Sequence, residues 1–204
     1  MDNDNNNSNL VPQNTKGAKT DTSFSETYTT IEEAISGYES AKQKLLDISK
    51  WHDYAGEGTA DFQLTDITGN IVYRSATEGD YFKIDIPGPG SKTGEGYDWV
   101  QIQSIIEKTE NDCQYISITV RPASNPTNQN EDVAHFFKDE ASSTFMIQRT
   151  GLVVSAEVHG RNEQANTDSQ NIIDKVRNII VAAGAFLGLS EVQWKSLVKG
   201  LLSS

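Results

Sequence analysis

Residues 144–159, TFMIQRTGLVVSAEVH, decide the fold of this chain. Apolar side chains recur at every second position from Val154 to Val158, after a central Thr150-Gly151 pair. A period of two is typical of a β-strand with one buried face. Because a glycine between two such segments suits a tight turn, we predict a β-hairpin with strands over 144–149 and 152–159.

The same alternation continues upstream of the hairpin. It is carried by the segments 60–64, 71–73, 82–86, 99–106 and 116–120. Short turns join these segments, so neighbouring strands would run antiparallel. We therefore predict a mainly antiparallel sheet of about six strands, with one face buried and the other facing water or a ligand.

Two helical segments flank the strands. The first begins at the capping-box sequence Thr30-Ile31-Glu32-Glu33 and continues with apolar residues spaced by three and four, which predicts a helix from 31 to about 50. The second begins near Asp168 and stops at Gly188, before a short final helix over 192–202. Strands between an N-terminal helix and a long C-terminal helix make an α+β fold.

The first 28 residues differ in composition from the rest. They contain asparagine at positions 3, 5, 6, 7, 9 and 14 and few large apolar side chains. Such a segment buries too little apolar surface to offset its loss of conformational entropy. We predict a disordered Asn-rich tail over 1–28, or alternatively a tether or docking peptide, followed by a single α+β domain over 29–204.

The net charge disfavours two classes of partner. The 204 residues carry 29 acidic and 17 basic side chains, for a net charge of -12. A chain this acidic repels nucleic-acid phosphates and anionic lipid surfaces, so we expect neither partner. No apolar run approaches the roughly 20 residues of a membrane span.

The N-terminus lacks the basic and apolar regions of a secretory signal. This favours a cytoplasmic location. The Asn-rich start would equally suit an exported protein whose leader is missing.

Few sites can be recognised from spacing. His52, His135 and His159 lie far apart, and the single cysteine, Cys113, follows a turn without a neighbouring Lys or Arg. We therefore expect no intramolecular disulfide, no metal site and no cofactor. Cys113 is interpreted as a small buried residue rather than a nucleophile.

His159 is the most interesting candidate for chemistry. On a strand, Glu157, His159 and Arg161 project from the same face. A carboxylate beside a histidine raises the imidazole pKa and holds one tautomer, so Glu157 and His159 are candidates for general acid–base catalysis. The structural alternative is a solvated strand face of alternating charge with no catalytic role.

A glycine- and proline-rich loop provides the second candidate site. The segment 87–99 begins with Pro87-Gly88-Pro89-Gly90 and ends in Tyr97, Asp98 and Trp99. Aromatic surface beside a carboxylate suits a sugar, a cationic group or a partner protein. The structural alternative is that Trp99 packs on the sheet and Asp98 caps a turn.

The order of elements resembles that of the helix-grip proteins, the START/Bet v 1-like and polyketide-cyclase-like group. In that fold a curved antiparallel sheet wraps a long C-terminal helix and encloses an apolar pocket, so the resemblance implies a ligand between sheet and helix. The segments 96–100, GYDWV, and 157–163, EVHGRNE, also resemble parts of an uncharacterised bacterial family. That second resemblance implies no activity.

Three functions are compatible with these patterns. The first is a non-catalytic binding module for a small apolar or amphipathic ligand, with Tyr97, Asp98, Trp99, His159 and Arg161 as candidate contacts. The second is a protein-interaction or assembly component that uses the acidic surface. The third is an enzyme built on Glu157 and His159, which the absence of a recognisable nucleophile, metal set or cofactor motif disfavours. The identity of the ligand or protein partner and the oligomeric state stay open.

Overall fold

The computed structural model describes residues 10–56, 59–86, 91–129, 131–168, 178 and 189–203. In this part of the chain, seven strands form a sheet in the order β1-β7-β6-β5-β4-β3-β2, and all neighbouring pairs are antiparallel. The strands are β1 Ala18–Thr27, β2 Asp61–Thr65, β3 Tyr81–Asp85, β4 Asp98–Glu110, β5 Cys113–Pro122, β6 Ser142–Thr150 and β7 Val153–Glu163. The predicted α+β class is confirmed.

The N-terminal helix α1 spans Ile31–Leu46 and begins at the predicted capping box. Thr30 Oγ1 accepts a hydrogen bond from the Glu33 backbone N–H, and the Glu33 carboxylate accepts one from the Thr30 backbone N–H. The helix ends earlier than predicted, because a 3-10 turn at Ile48–Lys50 leads into the short helix α2, Trp51–Ala55. The last described helix is α3, Leu189–Leu202.

The hydrophobic core lies between one face of the sheet and the helices. Trp51 occupies its centre, with ring centroids 5.4 Å from Phe62, 5.8 Å from Phe82 and 4.6 Å from Phe145. Trp194 of α3 packs on the same cluster, 5.4 Å from Phe145. Rings at these separations combine apolar burial with favourable edge and tilted contacts, so the interior is filled where α2 and α3 meet the sheet.

The hairpin predicted from 144–159 is confirmed as β6 and β7, joined at Gly151, whose φ is 57°. Val154, Ala156 and Val158 of β7 are buried in the core. Alternation along the strand therefore places Glu157, His159 and Arg161 on the opposite face, which we call the outer face.

The count of about six strands is too low, because β1 lies within residues predicted to be a disordered tail. Ala18–Thr27 pairs with β7 from Ala18 opposite Glu163 to Thr27 opposite Val153. The backbone of β1 forms its hydrogen bonds with a strand more than a hundred residues away. Local composition does not indicate such a partner, so it predicted a disordered segment here. Residues 1–9 of the predicted tail lie outside the described residues.

Two further predicted elements, a strand over 71–73 and a helix from Asp168 to Gly188, are not found as elements among the described residues. No strand forms over 71–73, where Ile71 makes only an isolated bridge to Thr65. The long helix predicted from Asp168 to Gly188 falls on 169–177 and 179–188, which lie outside the described residues. The described helices include none long and apolar enough to cross a membrane.

Candidate functional site

Residues 10–17, which we call the strap, cross the outer face of the sheet before β1 begins. Leu10 is buried against Tyr115 and Met146, with Ile106 and Cys113 packed around them. This satellite cluster is separate from the main core, because these side chains project from the outer face of β4, β5 and β6. The strap is therefore anchored at its start by apolar contacts.

Asn162 of β7 anchors the other end of the strap. Its Oδ1 accepts hydrogen bonds from the backbone N–H of Thr15 at 2.7 Å and of Lys16 at 3.1 Å, and its Nδ2 donates to the Gln13 carbonyl at 3.3 Å. The Asn162 backbone N–H in turn donates to Asn14 Oδ1 at 2.7 Å. Asn162 has a φ of 56°, a left-handed conformation that asparagine tolerates better than most residues.

A network of charged side chains lies beside the strap on β1 and β7. His159 Nδ1 lies 2.6 Å from Asp21 Oδ1, and His159 Nε2 lies 3.0 Å from Glu157 Oε2. Arg161 Nη2 donates to the same Asp21 oxygen at 2.6 Å, and Lys19 Nζ lies 3.2 Å from Asp21 Oδ2. Asp21 thus joins three cationic side chains.

Arg161 is held in place by backbone as well as by charge. Its Nη1 donates to the carbonyl oxygens of Thr20 at 2.9 Å and Gly160 at 2.7 Å, and the residue is 7% exposed. A buried guanidinium whose N–H groups point at carbonyls and a carboxylate keeps a fixed position, which makes it a rigid source of positive charge.

The network shifts the pKa values of its members in opposite directions. Burial acts to lower the pKa of His159, but the hydrogen bonds to Glu157 and Asp21 outweigh burial and raise it. The hydrogen bond from His159 lowers the pKa of Glu157 against the opposing effect of burial. At Asp21, partial burial is outweighed by hydrogen bonds from His159, Arg161 and Lys19, which lower the carboxyl pKa.

The two contacts of the His159 ring limit what this side chain can do chemically. An imidazolium with one N–H directed to Asp21 and the other to Glu157 has no lone pair to accept a proton. A general base must present a free ring nitrogen to its substrate. The geometry therefore disfavours His159 as a general base near neutral pH and favours a fixed cation.

An open cleft of about 700 Å³ lies between the strap and β7. One side is formed by strap residues 11–14, and Met146 of β6 contributes to the lining at 1% exposure. The remaining lining residues are the charged side chains of Lys19, Glu157, His159 and Arg161. The cleft thus brings together all three candidate residues predicted on β7.

The second predicted site is placed differently. Trp99 is 3% exposed and its Nε1 donates to the Gly94 carbonyl at 3.1 Å, while Asp98 is fully buried. Neither residue can offer the accessible surface proposed for it, because both side chains are enclosed by protein. Tyr97 is partly exposed, and its ring centre lies 4.3 Å from Lys83 Nζ. Residues 87–90 of the loop lie outside the described residues.

Lys19, Asp21 and the strap were not predicted as part of a site, because all of them fall within the predicted tail. A weak signal was present in β1, AKTDTSFSET, where threonine and serine occupy half of the positions. Threonine favours strands, although this segment carries few of the apolar residues that mark a buried face. Among the described residues, no group of three or more His, Cys, Asp and Glu side chains is placed to hold a metal ion.

No protein-family model and no curated protein matches the chain. Solved structures similar to it include a hypothetical protein from Helicobacter pylori, with a TM-score of 0.45 and 11% identity over 90% of this chain and 87% of the other. Ara h 8.0201 has a TM-score of 0.39 and 9% identity over 92% of this chain and 100% of its own. A START superfamily protein from Mycobacterium smegmatis has a TM-score of 0.37 and 11% identity over 91% and 99%.

A START superfamily protein, from the group that the order of elements resembles, is thus among the similar solved structures. Because all three TM-scores are below 0.5, the similarities carry no information about a ligand or an activity.

Proposed function

We propose that this chain is a non-catalytic binding module and that a small amphipathic ligand occupies the cleft between the strap and β7. The observation that supports this is the composition of the lining, where Val11, Pro12 and Met146 lie beside ionised groups of β1 and β7. Concave sites of several hundred Å³ that combine apolar surface with a few placed polar groups suit small molecules.

Binding is favoured over catalysis because the network is already satisfied within the protein. His159 has a carboxylate at each ring nitrogen, and Arg161 directs its Nη atoms to two carbonyls and Asp21. Groups held this way supply a fixed electrostatic environment without exchanging protons with a ligand. The enzyme hypothesis on Glu157 and His159 is thus the weaker one.

A ligand between the sheet and the C-terminal helix, as expected from the helix-grip resemblance, is a second location for the same function. In the described part of this interior, Trp51, Phe62, Phe145 and Trp194 fill the space between the sheet and α3. The rest of the predicted helix lies outside the described residues, so the interior pocket stays a prediction. The role of a protein-interaction component also stays a prediction.

The proposal is tested by NMR of methionine methyl groups. The chain has methionine only at positions 1 and 146, so a sample labelled at the methionine methyl carbon carries one reporter that lines the cleft. We would titrate hexanol, hexanoate and hexylammonium, which share a six-carbon chain. We expect at least one of them to shift the Met146 signal saturably, with a dissociation constant of about 1 mM, or about −4 kcal/mol.

A blocking variant shows whether the signal reports the cleft. Val11→Trp places a large ring where the strap lines the cleft, whereas Val192→Trp makes the same change at an exposed position on α3. We expect the probe-induced shift to be lost in Val11→Trp and kept in Val192→Trp. If none of the three probes shifts Met146 in the wild type at about ten times that concentration, the cleft is not a binding site for small amphipathic molecules.

A further inference from the structure

We infer that the cleft selects ligands with an anionic head, such as a carboxylate, joined to a short apolar segment. This inference rests on the proposed function and names the chemical class of its ligand. The charges that line the cleft and the hydrogen-bond donors that the protein leaves uncommitted support it.

The cleft has the opposite charge to the protein as a whole. The full chain carries a net charge of -12. Lys19, Arg161 and His159, when it is protonated between its two carboxylates, face Asp21 and Glu157, which leaves a net charge of +1 around the cleft. Glu163 interacts with Arg161 electrostatically but does not line the cleft. The other lining residues, Val11–Asn14 and Met146, are uncharged. An anion entering the cleft is therefore attracted locally by an otherwise repelling protein.

Lys19 is the group best placed to bind the anionic head. Its side chain is 54% exposed, and its Nζ is 3.2 Å from Asp21 Oδ2, its one ion-pair partner among the described residues. An ammonium has three N–H donors, so Lys19 can pair with a second carboxylate without leaving the first. Arg161 is committed to Thr20, Gly160 and Asp21, so it contributes mainly its charge.

The two carboxylates have less capacity to bind a cationic ligand. Asp21 already accepts from His159 and Arg161 and pairs with Lys19. Glu157 accepts from Ser155 Oγ at 2.9 Å on one oxygen and from His159 on the other. A cationic ligand would have to share carboxylates that three protein cations already neutralise. The positive charges of those three side chains would also repel it.

The apolar part of the ligand is accommodated by the same cleft. Val11 and Pro12 of the strap and Met146 of β6 line it together with the charged groups. A methylene chain that covers the half-buried Val11 and Pro12 removes apolar surface from water, which favours binding, while the buried Met146 forms the floor beneath it. A short carboxylate with an apolar tail therefore satisfies both parts of the lining at once.

His159 makes the preference dependent on pH. The charged groups that face it are Lys19 and Asp21 from β1 and Glu157 and Arg161 from β7, while Met146 and the strap residues that line the cleft, 11–14, are uncharged. Loss of the His159 proton changes the net charge around the cleft from +1 to zero. Affinity for an anion should thus fall as the pH rises through the elevated pKa of His159, while affinity for hexanol should stay constant.

Dissociation constants for the three six-carbon probes test the inference. The attraction between two opposite unit charges in contact and exposed to water is worth about 1 kcal/mol, which corresponds to about fivefold in affinity. We expect hexanoate to bind about fivefold more tightly than hexanol and hexylammonium to bind most weakly. Between about pH 6 and pH 9, where the carboxylate stays ionised, hexanoate affinity should fall.

A matched pair of variants identifies the binding group. Lys19→Met should weaken hexanoate about fivefold. Lys16→Met removes the same charge from an exposed strap residue that does not line the cleft, and should change affinity less than twofold. Equal binding of hexanol and hexanoate, tighter binding of hexylammonium, or equal effects of the two variants would overturn the anion preference. The proposed binding function would survive each of those results, because it fails only when Met146 responds to no probe or when its response persists in Val11→Trp.

Discussion

His159 on β7 and Asp21 on β1 lie opposite each other in the sheet, with Nδ1 and Oδ1 2.6 Å apart. The contact ties the edge strand β1 to its neighbour across the outer face. It also changes the surroundings of the predicted pair Glu157 and His159, because each ring nitrogen of His159 faces a carboxylate. The second carboxylate, from Asp21, occupies the ring nitrogen that a general base would need.

His159→Gln should destabilise the protein by about 1 kcal/mol, a modest figure because Asp21 is partly exposed and solvent screens its charge. The contribution of protonated His159 to the free energy of unfolding should be complete below the ordinary imidazole pKa of 6.5. It should be lost as the pH rises through the elevated pKa of His159 in the folded protein. The contribution of the Asp21 and Glu157 carboxylates to the free energy of unfolding should be complete above the ordinary Glu pKa of 4.5. It should be lost as the pH falls through the lowered pKa values of these groups in the folded protein.

Urea unfolding of wild type and His159→Gln at several pH values checks this prediction. The difference in unfolding free energy should be greatest between about pH 4.5 and 6.5 and should shrink on both sides. A difference that is the same at pH 6 as at pH 9 would contradict the charged pairing.

Asn162→Ala should release the strap from β7. The substitution removes the acceptor for the Thr15 and Lys16 amides and places alanine at a positive φ. We expect a loss of about 2 kcal/mol and faster hydrogen exchange at the two strap amides.

Asn162→Gly separates the two causes, because it relieves the backbone conformation but still lacks the side-chain acceptor. Both variants should lose amide protection at Thr15 and Lys16, while the glycine variant should keep more stability. Unchanged protection of these amides in Asn162→Gly would show that the side chain does not anchor the strap.

Gly37→Ala should destabilise the protein, whereas most Gly→Ala substitutions inside a helix stabilise it. Alanine normally stabilises a helix interior by about 1 kcal/mol over glycine. At this position of α1, however, the new methyl group would overlap the ring end of Tyr28. We expect Gly37→Ala to destabilise the protein by about 1–2 kcal/mol.

The background variant Tyr28→Ala tests the origin of that effect. With the ring removed, Gly37→Ala should become stabilising, as in an open helix. Chemical denaturation of the two single variants and the double variant measures the coupling between the positions. Additive effects would mean that the Tyr28 ring does not cause the penalty.

Glu163→Gln should stabilise the protein near neutral pH. Burial raises the pKa of the Glu163 carboxyl, with the hydrogen bond from Thr20 Oγ1 at 3.2 Å opposing the shift. The folded state then binds the proton more tightly than the unfolded state, so wild-type stability falls as the pH rises above the ordinary value of 4.5. The advantage of Gln over Glu should be larger at pH 7 than at pH 4 in urea unfolding. An advantage that is absent at pH 7 would contradict the burial argument.

Local patterns were sufficient for much of the fold. The capping box at Thr30 and the spacing of Ala34 and Tyr38 predict α1, and the alternation after Thr150-Gly151 predicts the β6–β7 hairpin. They failed at 71–73, where a short apolar run has no continuous partner strand. Periodicity reports which face of an element is apolar, but it does not report whether a neighbour is available.

The sequence by itself determined the α+β class, the shared face of Glu157, His159 and Arg161, and the acidic charge of the chain. Only the tertiary structure decided that Lys19 and Asp21 join this face and that the strap forms one side of a cleft over it. Asp21 and His159 are separated by 138 positions, so their contact depends on the antiparallel pairing of β1 with β7. That pairing depends on backbone hydrogen bonds and burial across the whole sheet, which no local pattern encodes.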